Sequence, residues 1–552
     1  MTSHAIIVVG FYKQKKSTGR RVFMISKELA AAREYESREG ALVGKEERPE
    51  YHFSPLIGWL NDPNGFSFYD GKYHLFYQYH PYNSFWGPMH WGHAVSDDLI
   101  SWEYLPAALA PDADYDGAGC FSGSAITLPD GRQLLMYTGC ATYGIDSEGR
   151  WRQTQCIATL ETDESGKSEY VKCEKNPVIA DSGLTEDGDI YEFRDPYIFT
   201  AGDGTYRAVV ANGRRRDTDS FMNKGAQVLM YRSSDCFDWE FDKVLFEDDR
   251  RIGVMWECPN FFPLDGVQVL LASPMDMQAE EANGSVRFPQ GNNVCYILGI
   301  YEEEKEEFIP YKDNNGNYLY KPLDGGLDFY APQVMKTPDG RTVLIGWMQD
   351  PSMANLHDPE GFKVFGQMTI PRELSQKDGR LYQWPVREIE AYRHDLTEYS
   401  DVEVGEDEIT LSGVSGRVLD IEIEVRPKTV SLAGTCSLEE LDIRFAGNDE
   451  LHSEIRFRPD SSVITIDRKG SGQAENITRR RSIRVRDREG SISLRIMLDR
   501  YSAEIFVNGG EEVISVTYYT PLDADRISFS AYGSAVMDIK AYNLGKQDNS
   551  DK

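Results

Sequence analysis

The feature that most constrains the fold of this chain is a recurring Asp-Gly pair followed by a β-rich run. The pair occurs at five places, which begin at Asp70, Asp130, Asp203, Asp265 and Asp339. Asp-Gly between apolar residues is a strong signal for a tight hairpin turn. These turns recur roughly every 60 to 75 residues, a period that is typical of propeller blades. We therefore predict a five-bladed β-propeller over residues 48–395, although Asp-Gly hairpins also occur singly in other β proteins.

The segments on either side of this repeat have a different pattern. The stretch "ISKELAAAREYESREGALV" predicts a helix that begins at Ser26, within an N-terminal extension over residues 1–47. After residue 400, stretches such as "GRVLDIEIEV" alternate apolar and polar residues with period two, which indicates strands with one wet face. The prediction is an all-β chain, with the propeller followed by a C-terminal β-sandwich over residues 400–545 and a short N-terminal helical segment.

Composition excludes several classes of partner. The formal net charge of −31 repels phosphate backbones, so we expect no nucleic-acid partner. The eight cysteines form no CxxC pair, which is typical of neither a zinc site nor a disulfide scaffold. No stretch is long enough to span a bilayer, and the apolar run "AIIVVGFY" has no Lys or Arg before it, unlike a secretory signal. We expect a cytoplasmic protein without a membrane partner.

Three acids occupy one position of the repeat. Eight residues before each Asp-Gly pair stand, in order, Asp62, Ser122, Asp195, Glu257 and Ala331. If the repeats superpose, these residues begin the innermost strand of successive blades and converge at one end of the central axis. The stretch "NDPNG" alone is also typical of a turn with a hydrogen-bonded Asp. The shared position favours a pocket that contains all three carboxylates.

Paired carboxylates on either side of a bond are the equipment of glycoside hydrolysis. One must be ionised to attack, the other must hold a proton, and a third can bind sugar hydroxyls. We expect Arg194 to keep the neighbouring Asp195 ionised. The other side chains expected around the sugar are Trp59, Asn61, Gln78, Trp86, Phe121 and Trp347. The residues therefore predict a carbohydrate-active propeller without naming its sugar.

From about Arg48 onward, ordered motifs resemble glycoside hydrolase family 32, the invertase and β-fructofuranosidase family. They include "GWLNDPNG", "WGPMHWGHAVSDD", "CFSGSA", "FRDP", "ECPNFF" and "FYAPQ". The resemblance implies the propeller-plus-sandwich fold and a retaining mechanism, with Asp62 as nucleophile, Glu257 as general acid/base and Asp195 as transition-state stabiliser. The residues that it places around fructose are Asn61, Gln78, Trp86, Phe121, Ser122, Arg194, Tyr330 and Trp347.

The resemblance also implies the substrate and the geometry. We expect sucrose or fructo-oligosaccharides as substrate, no cofactor, and carboxyl groups of Asp62 and Glu257 about 5–5.5 Å apart. No metal is expected, because the histidines do not form a convincing ligand set. These are His52, His74, His80, His90 and His93. Cys258 either fills space beside Glu257 or influences its pKa.

Several alternatives stay open at this stage. A sucrose-6-phosphate hydrolase would need basic residues near the pocket, for which Arg214, Arg215 and Arg216 are candidates beside a merely solvated loop. A fructosyltransferase would use the same three acids. A non-catalytic sugar-binding propeller would lack one acid, and a glycosidase for arabinose or xylose fits the motifs poorly. The oligomeric state is not visible, although the sandwich is a candidate contact in a homodimer.

Overall fold

The computed structural model describes residues 23–215, 225–248, 252–282, 285–354, 361–430, 436–472 and 477–545. Regular structure is almost entirely β, which confirms the all-β prediction. The α-helix α1 (Lys27–Gly40) begins after Ser26, whose Oγ accepts a hydrogen bond from the Leu29 amide at 3.1 Å. This cap satisfies one of the free N–H groups of the first turn. Short 3₁₀ turns lie at Lys45–Glu47, Asp181–Gly183, Arg387–Tyr392 and Lys469–Ser471.

The chain between residues 58 and 385 forms five successive antiparallel sheets. The first contains β1 (Gly58–Tyr69), β2 (Lys72–His80), β3 (His90–Ser96) and β4 (Trp102–Leu109). The second contains β5 (Gly119–Thr127), β6 (Gln133–Cys140), β7 (Gln153–Thr162) and β8 (Ser168–Lys172). The third contains β9 (Gly188–Thr200), β10 (Tyr206–Arg214), β11 (Ala226–Ser233) and β12 (Glu240–Asp248).

The last two of these sheets are more elaborate. The fourth contains β13 (Met255–Leu264), β14 (Val267–Met275), β17 (Cys295–Glu302), β18 (Glu307–Pro310) and β19 (Tyr320–Pro322), with the separate hairpin β15 (Glu280–Ala282) and β16 (Ser285–Phe288). The fifth contains β20 (Tyr330–Lys336), β21 (Thr342–Trp347), β23 (Arg372–Lys377) and β24 (Arg380–Pro385). Strand β22 (Val364–Phe365) instead pairs in parallel with β1. All five Asp-Gly pairs lie in the turn between the first and second strands of a sheet.

The first strands of the five sheets contact one another in closed cyclic order, β1 to β5, β9, β13, β20 and back to β1. A hydrogen bond links each neighbouring pair, so the order is fixed by polar groups as well as by packing. The links are Gly123 N to Asn64 Oδ1 (3.2 Å), Ser124 Oγ to Pro196 O (2.8 Å), Cys258 N to Asp195 Oδ2 (2.9 Å), Asn260 Nδ2 to Pro332 O (2.9 Å) and Phe66 N to Gln333 Oε1 (2.6 Å).

After residue 392 two larger antiparallel sheets enclose a second apolar core. The six-stranded sheet contains β25 (Arg393–Val404), β26 (Leu419–Pro427), β31 (Ile492–Asp499), β32 (Ser502–Val507), β33 (Glu512–Thr517) and β35 (Ala535–Leu544). The five-stranded sheet contains β27 (Leu438–Gly447), β28 (Ser453–Arg458), β29 (Val463–Asp467), β30 (Arg480–Arg484) and β34 (Arg526–Gly533). In β26, Ile421 and Ile423 are buried while Glu422 and Glu424 face outward, as period two requires.

A fully buried group of charged side chains joins these two units, and we call it the interface cluster. His52 lies 2.9 Å from Asp499 through Nδ1 and 2.8 Å from Glu504 through Nε2. Arg372 pairs with Glu504 at 2.5 Å and with Asp324 at 3.0 Å. Burial opposes the charged imidazole, but the hydrogen bonds to the two carboxylates raise the pKa of His52 to about 9. His52 is therefore an imidazolium that holds the two units together.

Candidate active site

The three acids of the repeat lie on equivalent strands. Asp62 is in β1, Asp195 in β9 and Glu257 in β13. In all three strands the pairing register shifts at this position, between residues 60 and 63 in β1 and between residues 257 and 260 in β13. Such a β-bulge turns a side chain away from the regular alternation. Asp195 and Cys258 also have positive φ angles of 64° and 49°, and a proline follows each of them.

Two of the three acids, Asp62 and Asp195, meet at the thiol of Cys258. Its Sγ lies 3.6 Å from Asp62 Oδ2 and 3.7 Å from Asp195 Oδ2, while Glu257 is the preceding residue. The Cys258 amide also donates to Asp195 Oδ2 at 2.9 Å. Burial raises the pKa of the Cys258 thiol well above its ordinary value, so the thiol is neutral. The Cys258 thiol therefore lies between the carboxylates of Asp62 and Asp195 and is a weak hydrogen-bond donor that faces both.

Besides the Cys258 thiol, two side chains donate hydrogen bonds to Asp62. Ser122 Oγ donates to Oδ2 at 2.6 Å, and Asn61 Nδ2 donates to Oδ1 at 3.1 Å. Asn61 is held in turn by Trp59, whose Nε1 donates to Asn61 Oδ1 at 2.8 Å. Burial raises the pKa of Asp62 to about 6; the Ser122 bond opposes the rise and the charge of Glu257 adds to it. Asp62 is therefore ionised above about pH 6.

Asp195 is 5% exposed, and its own amide donates to Thr138 Oγ1 at 2.9 Å. Burial, followed by the charge of Glu257, raises its pKa to about 7, while Arg194 opposes the rise. The charge of Arg194 favours the ionised form of Asp195, in line with the expectation from the sequence, but its guanidinium makes its hydrogen bonds elsewhere. Adjacent residues of a strand point to opposite faces, and the guanidinium bonds Glu257 Oε1 (3.0 Å) and Glu192 Oε2 (2.5 Å) instead.

Glu257 receives a donor at each carboxyl oxygen. Arg194 Nε donates to Oε1, and the Tyr330 hydroxyl donates to Oε2 at 2.6 Å. Tyr330 lies in β20 and is 3% exposed, and burial raises its pKa well above its ordinary value. The phenol therefore stays a neutral donor, and two different strands orient the carboxyl group of Glu257.

The remaining predicted residues separate into buried side chains and exposed side chains. Gln78 is 2% exposed and donates to the Cys120 carbonyl at 3.0 Å. Trp347 is 3% exposed and packs edge-on against Trp59, with ring centroids 5.8 Å apart. Trp86 in contrast is 42% exposed and packs edge-on against Phe121.

Two residues near the pocket were missed from the sequence. Glu192 faces Arg194 because residues two apart share a face of β9, so alternation along the strand could have found it. Trp151 lies in the loop between β6 and β7 and packs against Trp86 and Phe121. A tryptophan inside the polar stretch "IDSEGRWRQ" was its only signal.

Other candidate groups lie elsewhere. Ring nitrogens of His74 and His93 are 3.0 Å apart, and burial lowers the pKa of His74 to about 4. Arg214 pairs with Asp187, Arg215 donates to the Gly188 carbonyl, and Arg216 lies outside the described residues. Within the described ranges, no group of three or more His, Cys, Asp or Glu side chains could hold a metal ion. The helices in those ranges include none with the length and apolarity needed to cross a bilayer.

Neighbouring carboxyl groups of this kind, one of them oriented by a guanidinium and a phenol donor, are the groups that glycoside hydrolases use on either side of the scissile bond. The sequence matches the model of the glycosyl hydrolases family 32 N-terminal domain over residues 52–385. It matches the model of the family's C-terminal region over residues 388–543. The chain belongs to glycosyl hydrolase family 32, as its motifs predicted.

Known relatives agree with this assignment. The chain is 34% identical over 491 residues to a sucrose-6-phosphate hydrolase of Escherichia coli, covering 89% of this chain and 93% of the relative. It is 33% identical over 500 residues to a raffinose invertase of Escherichia coli, again covering 89% and 93%. Among solved structures, a Bombyx mori GH32 beta-fructofuranosidase is 32% identical with a TM-score of 0.76, covering 94% of this chain and 99% of the other.

Proposed function

We propose that this protein is a retaining β-fructofuranosidase that releases terminal fructose from sucrose and fructo-oligosaccharides without a cofactor. The observation that carries the proposal is that Asp62 and Asp195 meet at the Cys258 thiol while the charge of the adjacent Glu257 raises the pKa of both. The names of the relatives support the same class of substrate, since they include a raffinose invertase and a beta-fructofuranosidase.

The proposed reaction has two steps. Ionised Asp62 attacks C2 of the fructosyl unit while Glu257 gives its proton to the leaving oxygen, so the glycosidic bond breaks and a fructosyl ester forms. Glu257 then takes a proton from water, which attacks C2 and releases Asp62. Asp195 binds fructose hydroxyls and stabilises positive charge on the ring. The separation of about 5–5.5 Å between the carboxyl groups of Asp62 and Glu257 stays a prediction.

We also propose that the five sheets are blades of a propeller over residues 48–395. The closed cyclic contact of β1, β5, β9, β13 and β20 supports this arrangement, because it requires the first strands to surround a common axis. The N-terminal extension (1–47), the sandwich boundaries (400–545) and the cytoplasmic location stay predictions of the sequence.

A sucrose-6-phosphate hydrolase is the second candidate. The observation that favours it is the 34% identity to a relative of that name. Both candidates use the same three acids, so the difference lies in whether the substrate carries a phosphate. A fructosyltransferase would also use these acids, with a sugar hydroxyl in place of water.

The test is to incubate the purified protein separately with sucrose, 1-kestose, inulin, levan and sucrose-6-phosphate and to quantify the products by chromatography. Fructose from sucrose and 1-kestose, absent with Asp62→Asn, is the expected result. Activity confined to sucrose-6-phosphate would select the second candidate, and longer fructose chains at high sucrose would indicate transfer. No product from any substrate would overturn the proposal.

A further inference from the structure

We propose that Trp151 is a specificity-determining residue, which together with Trp86 binds the sugar on the leaving-group side of the scissile bond. The inference rests on the proposed function and adds a residue to it. Trp151 occupies none of the repeat positions and belongs to the loop of residues 141–152 between β6 and β7.

Three aromatic rings form one cluster, which the chain joins at Phe121 to Ser122 and so to the acid pocket of Asp62, Asp195 and Glu257. The rings of Trp86 and Trp151 are nearly parallel, with an interplanar angle of 19° and centroids 6.1 Å apart. Both stand edge-on to Phe121, at 82° and 89°, with centroid distances of 6.1 and 6.3 Å. Edge-to-face contacts of this kind hold aromatic rings in a defined orientation. Phe121 therefore holds both indole rings in nearly the same orientation.

Chain neighbours of the cluster connect it to both groups that act on the bond. On one side, Phe121 precedes Ser122, whose hydroxyl donates to Asp62. On the other side, Trp151 follows Arg150, which begins a chain of alternating charges that ends at Glu257. The links are Arg150 Nη1 to Glu192 Oε1 (3.8 Å), Glu192 Oε2 to Arg194 Nη1 (2.5 Å) and Arg194 Nε to Glu257 Oε1 (3.0 Å).

This position is the one that a leaving sugar requires. The terminal fructosyl unit must reach the buried carboxylates, so the next sugar must lie towards the open side. Glu257 protonates the leaving oxygen, so the same sugar lies on the Glu257 side. Trp86 is 42% exposed and Trp151 is partly exposed, which leaves indole surface free at this place. Indole faces pack well against the C–H faces of sugar rings, since both surfaces are flat and apolar.

The loop that carries Trp151 is ordered before substrate arrives. Arg150 pairs with Asp146 at 2.7 Å and with Asp189 at 2.9 Å, and its guanidinium lies 5.0 Å from the ring centre of Tyr191. A side chain that is already held in place loses little entropy on binding a ligand. The indole of Trp151 is therefore a preorganised surface.

The test compares a substrate with a leaving sugar and one without. We would measure kcat/KM of wild type, Trp151→Ala and Trp151→Phe on sucrose and on methyl β-D-fructofuranoside. For Trp151→Ala, the ratio of the sucrose value to the methyl fructoside value should fall about tenfold, which corresponds to about 1.4 kcal/mol. Trp151→Phe should retain part of the ratio because a flat ring remains. Tyr143→Ala, which removes a half-exposed aromatic of the same loop, is the matched control and should leave the ratio unchanged.

A second readout uses transfer. An acceptor sugar occupies the site of the leaving sugar, and its hydroxyl attacks C2 of the fructosyl ester while Glu257 accepts the hydroxyl proton and Asp62 is released. At high sucrose concentration, Trp151→Ala should therefore lower the ratio of transfer to hydrolysis. Equal losses on both substrates with an unchanged transfer ratio would overturn the inference. Inactivity of the wild type on sucrose and methyl fructoside would instead overturn the proposed function.

Discussion

Two buried groups of carboxylates in this molecule have opposite electrostatics. In the acid pocket, the guanidinium of Arg194 pairs with Glu257 and Glu192, while Asp62 and Asp195 form no ion pair within the described residues. In the interface cluster, three carboxylates are matched by the charged His52 and Arg372 and by many backbone amides. The carboxylates there are Asp324, Asp499 and Glu504, and the amides that bond them include those of Glu50, Tyr51, His52, Gly326, Ile370 and Ser515.

The pKa values follow this difference. In both regions burial is the largest single influence on the pKa values of Asp62, Asp195, Asp499 and Glu504, and it acts to raise them. In the acid pocket it prevails, and the pKa values of Asp62 and Asp195 rise to about 6 and about 7. In the interface cluster the partners prevail over burial, and the pKa values of Asp499 and Glu504 fall below their ordinary values. Similar residue types thus have raised pKa values where partners are few and lowered pKa values where partners are plentiful.

The largest expected effect comes from Asp62→Asn. The amide cannot form the fructosyl ester, so kcat/KM for sucrose should fall by at least about 10⁴-fold. Because the change also removes a poorly compensated buried charge, Tm at pH 7.5 should rise or stay constant. Steady-state kinetics and a thermal melt of the same preparation measure both. A large fall in Tm would show that the Asp62 carboxylate stabilises the fold. It would contradict the view that the carboxylates of the acid pocket are poorly compensated and those of the interface cluster well compensated.

The converse change is Glu504→Gln in the interface cluster. It leaves His52 and Arg372 with less negative charge, and breaking a buried ion pair costs about 3–5 kcal/mol. Urea unfolding followed by tryptophan fluorescence measures the loss, and kcat/KM of the folded protein should change less than about twofold. The control is Glu398→Gln, a surface partner of Lys540, which should cost less than about 1 kcal/mol. Equal effects of the two substitutions would contradict the structural role.

A smaller effect is expected from alkaline pH. Folding raises the pKa of His52 to about 9, so the stabilisation is fully present below about pH 6.5 and is lost as pH rises through about 9. The shift corresponds to about 3 kcal/mol of unfolding free energy. Urea unfolding at pH 7 and pH 10 should show this loss in wild type. The His52→Gln variant should lack it, and an equal alkaline loss in both proteins would rule out His52 as its source.

The smallest effect concerns Ser122→Ala. The nucleophile must be ionised, so kcat/KM should decline as pH falls through about 6. The Ser122 hydroxyl stabilises the ionised form of Asp62, and its removal should raise the pKa of Asp62 and move the acidic limb to higher pH. Profiles of kcat/KM from pH 4.5 to 8 measure the shift, with the surface variant Ser165→Ala as control. If the acidic limb of the kcat/KM profile does not move in Ser122→Ala, a group other than Asp62 determines its position.

The sequence predicted the positions of the acids because the repeat is encoded locally. Asp-Gly turns and the fixed step to Asp62, Asp195 and Glu257 depend on short stretches of chain. The bulges that aim these acids were not predicted, because a bulge depends on pairing with the next strand. The family resemblance placed Tyr330 beside fructose, but its hydrogen bond to Glu257 was not predicted because it joins two distant strands.

Side chains outside the repeat were harder to interpret. His52 was considered only as a metal ligand, and its partners Asp499 and Glu504 lie about 450 residues further along the chain. No local pattern links residues at that distance. Trp151 was missed for a related reason, because loop residues follow neither period two nor the repeat. Arg194 was assigned to its neighbour Asp195, although alternation along β9 turns it towards Glu257.

The pairing of β22 with β1 has a consequence for synthesis on the ribosome. Gly58 pairs with Val364 and Trp59 with Phe365, so the first sheet receives its last strand about 300 residues after it begins. At typical elongation rates that interval lasts on the order of 15 to 60 s. During it, Gly58 and Trp59, which precede the proposed nucleophile Asp62 in β1, lack their partner strand. A nascent chain that stalls before Val364 therefore keeps an unpaired strand edge at Gly58 and Trp59, the kind of edge to which another chain can add a strand.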